Sequence, residues 1–150
     1  MDGVRGYWDG STLKSRFGRE IPVPLWFTKP LPRYPLDGEL WMGRDSFERL
    51  MTVLKSGDAV HPEWESIGYH LYDLPASPAP YEERMKCLEA LKPLPSHLHI
   101  VESIECKGGS HLNLLLDSIL ELRGEGIMAR QPQSLYDAAV MTYSLLKVKV

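Results

Sequence analysis

Short apolar runs alternate with turn residues along the first part of the chain. Residues 4–8 and 11–15 flank the dipeptide Asp9-Gly10, and Asp-Gly is a frequent turn between two antiparallel strands. This arrangement predicts a β-hairpin. A second turn is predicted at residues 16–19.

Prolines dominate the next segment. Residues 22–35 hold five of the 12 prolines, and proline cannot donate a hydrogen bond to a β-ladder. This composition predicts a covering loop with one short helical turn at residues 25–27.

Residues 36–42 return to a strand pattern. Apolar side chains occupy alternate positions, as in a half-buried strand, and Gly38 predicts a β-bulge. With that bulge, we expect Asp37 and Glu39 to share the face opposite Leu36, Leu40 and Met42.

Helical and extended patterns are mixed in the rest of the chain. Helical spacing of apolar residues predicts three helices, at residues 47–57 with Ser46 or Asp45 as the cap, 81–91, and 112–122 closed by Gly124. Strands are predicted at residues 67–73, 97–101, 126–130 and 145–150, and a loop at 75–80. Because strict β-α-β alternation is absent, we predict an α+β domain of antiparallel sheets with packed helices.

Composition supports one globular domain. The chain has 150 residues, of which 43% are hydrophobic and 25% charged, which excludes disordered, collagen-like and small disulfide-scaffold classes. No apolar run is long enough to span a bilayer, and residues 1–6 do not resemble a signal peptide, so we expect an intracellular protein. Cys87 and Cys106 have no Cys-x-x-Cys partner, and we expect both to be buried core thiols.

Charge is unevenly distributed. The net charge is −3, yet residues 1–33 carry six basic and three acidic groups. A polyanion would therefore meet the N-terminal third of the chain; the alternative is that these groups are ordinary solvated strand residues.

Two further patterns carry weaker signals. His97 and His99 could face one side of a strand as metal ligands, but no third ligand is nearby, which favours surface or core histidines. The four tryptophans could stack on bases, although packing is the commoner role; they are Trp8, Trp26, Trp41 and Trp64.

Six short segments stand in the order of the nucleotidyltransferase motifs of ATP-dependent DNA ligases. They are Asp2-Gly3-Val4-Arg5, Ser15-Arg16-Phe17-Gly18, Asp37-Gly38-Glu39-Leu40, Leu71-Tyr72-Asp73, Glu125-Gly126-Ile127-Met128-Ala129-Arg130 and Leu146-Lys147-Val148-Lys149. Over nearly its whole length the chain resembles the adenylation domain of that family, and residues 39–44 match the Glu-Leu-Trp-x-Gly-Arg run of its small viral and bacterial members. The resemblance implies the nucleotidyltransferase fold.

The resemblance also implies a reaction. A lysine attacks the α-phosphate of ATP, the resulting lysyl-AMP passes AMP to a 5′-phosphate at a DNA nick, and a 3′-hydroxyl displaces AMP. Arg5, Lys147 and Lys149 match the residues that stabilise the phosphate charge in this chemistry. Lys147 and Lys149 lie two apart on a predicted strand and so share a face; the alternative is a solvated strand end.

Further positions follow from the same resemblance. Glu125 matches the residue that holds a divalent metal, and Glu39 matches the one that hydrogen-bonds the ribose or supports the metal shell through Asp37. Carboxylate oxygens suit Mg²⁺. Tyr72 matches an aromatic residue that stacks on adenine, although a core tyrosine would show the same pattern. Ser15 and Arg16 match a motif that contacts the 5′-phosphate of the nick.

Two departures qualify the match. The family's first motif is Lys-x-Asp-Gly-x-Arg, and Met1 takes the x position, so the lysine is expected immediately before Met1. Residues 138–144 contain no basic residue where the family usually places one. We therefore expect residues 1–150 to be an adenylation-domain fragment, truncated before the motif lysine and after the last motif, without the OB-fold, and inactive alone.

Several functions remain open on these grounds. The leading hypothesis is a monomeric ATP-dependent DNA ligase domain that uses ATP and Mg²⁺ on nicked duplex DNA and contacts no membrane. A non-catalytic nucleotide- or nucleic-acid-binding remnant is an alternative, as is an RNA ligase or mRNA-capping nucleotidyltransferase. An α+β interaction protein without a nucleotide site would require all six ordered motifs to be coincidental.

Overall fold

A computed structural model describes residues 1–137 and 145–149. Its main sheet has five strands in the order β2-β1-β3-β4-β5. They are β1 (Val4–Trp8), β2 (Leu13–Lys14), β3 (Leu36–Trp41), β4 (Gly68–Asp73) and β5 (Leu98–Ile100). A second, antiparallel sheet pairs β6 (Ile127–Arg130) with β7 (Leu145–Val148). The predicted α+β class is confirmed.

Four helices and one short 3-10 helix, at Pro62–Ser66, are described in these residues. The α-helices are α1 (Leu25–Thr28), α2 (Phe47–Ser56), α3 (Tyr81–Glu89) and α4 (Gly109–Glu121). Each predicted helix is present to within a few residues, because apolar spacing and terminal glycines are local signals. Gly57, for example, ends α2 in the left-handed conformation.

Two local predictions need correction. β4 and β5 run parallel, with α3 in the connection between them, so the main sheet is mixed rather than antiparallel. The first hairpin closes at the Trp8–Leu13 pair, so its loop has four residues instead of two. The Asp9 carboxylate accepts the backbone N–H groups of Ser11 and Thr12 at 2.9 and 2.7 Å and shapes that loop as an Asx turn.

The two faces of the main sheet have different chemistry. Leu40, Tyr69 and Leu71 point to one face, where they are buried together with Phe27 and Trp64. The opposite face carries a row of polar side chains, because the strand register places four residues side by side across β1, β3, β4 and β5. That row is Arg5, Glu39, His70 and His99.

The bulge predicted in β3 at Gly38 is wrong in its placement. The β3–β4 register shifts between Asp37 and Gly38, but the extra residue is Tyr72 of β4, because Asp37 pairs with Asp73 and Gly38 with Leu71; β3 itself pairs with β1 without interruption. A Cβ atom on Gly38 would lie 2.6 Å from the His70 carbonyl oxygen and 2.8 Å from the Tyr69 ring. Glycine is therefore required where β3 and β4 approach each other, directly beside Asp37 and Glu39.

The cysteine prediction was wrong. Cys87 and Cys106 are both free and exposed. α3 buries Arg84 and Leu88, one turn apart, so Cys87 lies outside its buried stripe, and Cys106 lies in an exposed segment before α4.

Two remaining expectations concern the membrane and the last motif. In the part of the chain that the structure describes, no helix is both long and apolar enough to cross a membrane. The absence of a basic residue in residues 138–144 concerns a segment outside the described residues.

Candidate functional site

A forked ion pair organises the polar face of the main sheet. Arg5 donates from Nε to one Asp37 oxygen at 3.0 Å and from Nη2 to the other at 2.7 Å. The Tyr136 hydroxyl donates to the second oxygen at 3.0 Å and accepts from Arg5 at 3.2 Å. Because Asp37 is 2% exposed, it fixes the Arg5 guanidinium in one orientation.

Tyr72 lies beside this pair, half-buried on β4. The hydrogen bond that Arg5 donates to Asp37 raises the pKa of Arg5, with the Asp37 charge adding to the effect. Burial first, and then the Asp37 charge, raises the pKa of Tyr72, and the same two causes raise the pKa of Tyr136. Both tyrosines are therefore neutral at physiological pH and act as hydrogen-bond donors or stacking surfaces.

Glu39 is opposite Arg5 in the strand register. Burial raises the pKa of Glu39, the Met1 ammonium group and the Gly3 N–H lower it, and the negative charges of Glu125 and Asp2 raise it. The charge of Glu125, which follows α4, thus acts on the Glu39 carboxyl although the two residues are 86 positions apart in the sequence.

The two lysines predicted for catalysis lie on β7 and directly after it. Lys147 is paired with Met128 of β6, and both lysine side chains are exposed. A Cβ on Gly126 would lie 2.9 Å from the Cβ of Lys149, so Lys149 lies next to the residue that follows Glu125. Within the described residues, no hydrogen bond or ion pair connects either lysine to the Arg5–Asp37 pair.

Ser15 and Arg16 lie on a separate exposed loop. Ser15 Oγ accepts the Arg19 N–H at 3.2 Å, and Arg16 covers the ring of Phe17. No described contact joins this loop to Glu39 or Tyr72, so its predicted role at a 5′-phosphate stays a prediction.

The acidic residues fit a metal held partly by substrate. Residues 1–137 and 145–149 contain no cluster of three His, Cys, Asp or Glu side chains suited to a metal ion. Both Asp37 oxygens already accept hydrogen bonds from Arg5 and Tyr136, so the metal role predicted for Asp37 stays a prediction. The neighbouring carboxylates of Glu39 and Glu125 match the usual Mg²⁺ arrangement of one or two carboxylates completed by phosphate oxygens and water.

Sequence patterns missed two groups of polar residues. Tyr136 reaches Asp37 across 99 positions, a separation that carries no local signal. Asp73 accepts hydrogen bonds from Arg84 and from Arg130. Asp73 and Arg130 lie in the segments that match the family motifs, but neither was expected to form a buried ion pair.

The histidines contact aromatic rings rather than a metal cluster. His99 stacks on His70 with ring centroids 4.5 Å apart, and Trp41 meets His70 edge-on at 5.3 Å. His97 instead hydrogen-bonds the Phe27 carbonyl at 2.8 Å. Burial, then the positive charges of His99 and Met1, lowers the pKa of His70 to about 4.

Comparison with known sequences gives a consistent result. The sequence model described as "ATP dependent DNA ligase domain" matches residues 65–149. The chain is also 35% identical over 153 aligned positions to a DNA ligase of Haemophilus influenzae, an alignment that covers 99% of this chain and 55% of that protein. The chain thus spans about half the length of this curated relative.

Solved structures show the same fold. A structure reported in a study of DNA binding by Lig E DNA ligases superposes with a TM-score of 0.91 at 28% identity, covering 100% of this chain and 59% of that one. The Chlorella virus DNA ligase-adenylate superposes with a TM-score of 0.85 at 20% identity, covering 99% and 58%.

Proposed function

The chain belongs to the ATP-dependent DNA ligase family, and from that premise we propose that the polar face of its main sheet binds ATP as the adenylation site of a nick-sealing enzyme. The observation that carries the proposal is the Arg5–Asp37–Tyr136 cluster. It holds a guanidinium rigidly beside the half-buried ring of Tyr72 and the carboxylate of Glu39.

Each of these groups suits one part of a nucleotide. The Tyr72 ring offers a neutral stacking surface for adenine. Glu39 is placed to accept a hydrogen bond from a ribose hydroxyl, and Arg5 to hold a phosphate. Because Asp37 fixes the Arg5 orientation in advance, little reorganisation is needed when phosphate charge develops.

Glu125 and Glu39 would hold Mg²⁺ together with phosphate oxygens. When bound, Mg²⁺ would neutralise phosphate charge. Without a cation, these two carboxylates repel each other, which is one of the causes that raise the pKa of Glu39. That repulsion favours a cation between them.

By resemblance, the attacking amine belongs to the lysine of the family's first motif, Lys-x-Asp-Gly-x-Arg, of which this chain contains the Asp2–Arg5 part. Its amine nitrogen would bond to the α-phosphorus of ATP as the bond to pyrophosphate breaks. Lys147 and Lys149 supply positive charge to this phosphate, and nicked duplex DNA then receives AMP at its 5′-phosphate.

Calorimetric titration with ATP and Mg²⁺ tests the proposed pocket. We expect Tyr72→Ala and Lys147→Ala each to weaken binding about tenfold, since one stacking or charged contact contributes roughly 1–3 kcal/mol. Tyr34→Ala, at a ring 42% exposed elsewhere, serves as the control. Unchanged binding in both variants would reject this pocket, and a loss confined to Tyr72→Ala would remove Lys147 from it.

A further inference from the structure

Residues 130–136 form a strap that connects β6 to the main sheet. At the start of the strap, Arg130 donates to the buried carboxylate of Asp73. At its end, the Tyr136 hydroxyl donates to the buried carboxylate of Asp37 at 3.0 Å. Asp37 and Asp73 are partners in the register of β3 and β4. The two ends of the strap therefore reach neighbouring carboxylates at one place in the sheet.

Backbone hydrogen bonds fix the middle of the strap against the beginning of α3. The Tyr81 N–H donates to the Ser134 carbonyl at 2.8 Å, and the Glu82 N–H donates to the Pro132 carbonyl at 3.0 Å. N–H groups in the first turn of a helix have no partner within the helix. Because Pro80 before α3 supplies no side-chain cap, the strap takes the place of a helix cap. The position of the strap is thus set by contacts that do not involve Tyr136.

Tyr136 connects this strap to the guanidinium proposed to bind phosphate. Its hydroxyl donates to the Asp37 oxygen that also accepts Nη2 of Arg5, and it accepts from the same Nη2 at 3.2 Å. Within residues 1–137 and 145–149, no hydrogen bond involves Nη1 of Arg5. The Arg5 side chain is 33% exposed, so a ligand can reach this guanidinium.

We propose that Tyr136 is a positioning residue for the phosphate part of the nucleotide: its hydroxyl holds the Arg5 guanidinium in the orientation that binds phosphate and does not touch the nucleotide itself. Without the hydroxyl, Nη2 of Arg5 loses one acceptor and Asp37 loses one donor, so the guanidinium is free to turn. Phosphate recognition by arginine depends on the orientation of its planar group. The inference rests on the proposed function in taking Arg5 as a phosphate contact, and it adds the group that orients that contact.

Calorimetric titration of the full chain with two ligands tests the inference. One ligand is ATP with Mg²⁺, and the other is adenosine, which has the same base and ribose but no phosphate. Tyr136→Phe keeps the ring and removes only the hydroxyl. We expect this variant to bind ATP about three- to tenfold more weakly, the range of one hydrogen bond, and to bind adenosine as the wild type does. Tyr72→Ala should weaken the binding of both ligands, because stacking involves the base.

A double-mutant cycle with Arg5→Gln tests whether Tyr136 acts through Arg5. If it does, Tyr136→Phe should not weaken ATP binding further in the Arg5→Gln background, since no guanidinium remains to be oriented. Equal losses in the two backgrounds would overturn the inference. The comparison of ATP with adenosine needs no Arg5 variant, so it decides the question by itself should Arg5→Gln unfold.

The matched control is Tyr81→Phe. The Tyr81 hydroxyl hydrogen-bonds Ser103 at 2.7 Å in an exposed position, so the same atom is removed outside the cluster, and ATP binding should not change. Urea unfolding without ligand shows that each variant compared is folded.

Two further results would overturn the inference. One is ATP binding by Tyr136→Phe within about twofold of the wild type, below the range of one hydrogen bond. The other is an equal loss of ATP and adenosine binding, which would mark a general disturbance of the pocket. Both leave the ATP titration of Tyr72→Ala untouched, so the proposed pocket is judged separately. A wild-type chain that binds no ATP would reject the pocket, and with it the role of Tyr136.

Discussion

The Arg84 guanidinium on α3 and the Asp73 carboxylate at the end of β4 form a buried ion pair, with Nε of Arg84 2.6 Å from Oδ1 of Asp73. Arg130 of β6 donates to the other Asp73 oxygen. One carboxylate thus connects the main sheet, α3 and the two-stranded sheet. Asp73 follows Tyr72, and Arg130 lies on the strand that follows Glu125, so this network joins the two parts of the proposed site.

Removing the buried guanidinium should destabilise the fold strongly. Arg84→Ala leaves the Asp73 charge buried with Arg130 as its remaining ionic partner, and it removes the donor to the carbonyls of Ala79 and Ser134. Breaking a buried pair costs about 3–5 kcal/mol. We expect that loss in the free energy of unfolding, measured by urea denaturation.

The matched control is Lys86→Ala, two residues along α3. Lys86 forms an exposed ion pair with Glu83 at 3.1 Å, and such pairs contribute about 0–1 kcal/mol. Equal losses in the two variants would show that the Asp73 network does not stabilise the domain beyond a surface pair.

Gly38→Ala should disrupt the junction of β3 and β4. Its new Cβ would lie 2.6 Å from the backbone oxygen of His70, so the strands would have to separate beside Asp37. We expect a loss of about 1–3 kcal/mol, typical of overpacking, and weaker ATP binding because Arg5 loses its fixed partner. Gly109→Ala is the control: it begins α4 and has open space around it, so unfolding should be unchanged or slightly less favourable.

Helix α2 shows which features a sequence can predict, because it depends on residues within one or two turns of each other, such as Gly57 at its end. The irregularity beside Gly38 was predicted on the wrong strand, since the extra residue is Tyr72 of β4 and its place depends on how the two strands pair. The positions proposed for the site were found through resemblance to a family, because no single motif was specific. The contacts of Tyr136 and Arg84 could not be predicted, since they join distant elements and depend on how the chain packs. The cysteines show a prediction from residue type that failed. Cysteine side chains are usually buried, but Cys87 lies outside the buried stripe of α3 and is exposed.

Acid should destabilise the protein through His70. Because burial lowers the pKa of His70 to about 4, below the usual 6.5, the unfolded chain binds this proton first. Stability therefore falls as the pH drops from about 6.5 towards 4. The contribution at about pH 5 is at most about 2 kcal/mol, and solvent screening makes it smaller because His70 is only partly buried.

His70→Phe keeps an aromatic ring against His99 and removes the titration. We expect the variant to lose less stability than the wild type between about pH 7 and pH 5, measured as the difference between their urea midpoints. Parallel pH profiles of the two proteins would assign the acid sensitivity to other groups.

Glu39→Gln should separate the requirements of stability from those of function. Burial and the charge of Glu125 raise the pKa of Glu39, so the folded chain holds this proton more tightly than the unfolded chain. Its contribution to stability is therefore lost as the pH rises through the window above the ordinary value of 4.5. At neutral pH the charged carboxylate opposes folding. The substituted amide carries no charge and still accepts the Gly3 N–H, so we expect the free energy of unfolding to rise by about 0.5–2 kcal/mol in the absence of ligand.

Addition of ATP and Mg²⁺ should raise the melting temperature of the wild type more than that of the variant, since in the variant the cation loses one of its two carboxylates. Glu102→Gln, at an exposed carboxylate, should change neither measurement. A variant that gains stability and responds to ATP and Mg²⁺ as fully as the wild type would show that Glu39 contacts neither the ribose nor the metal.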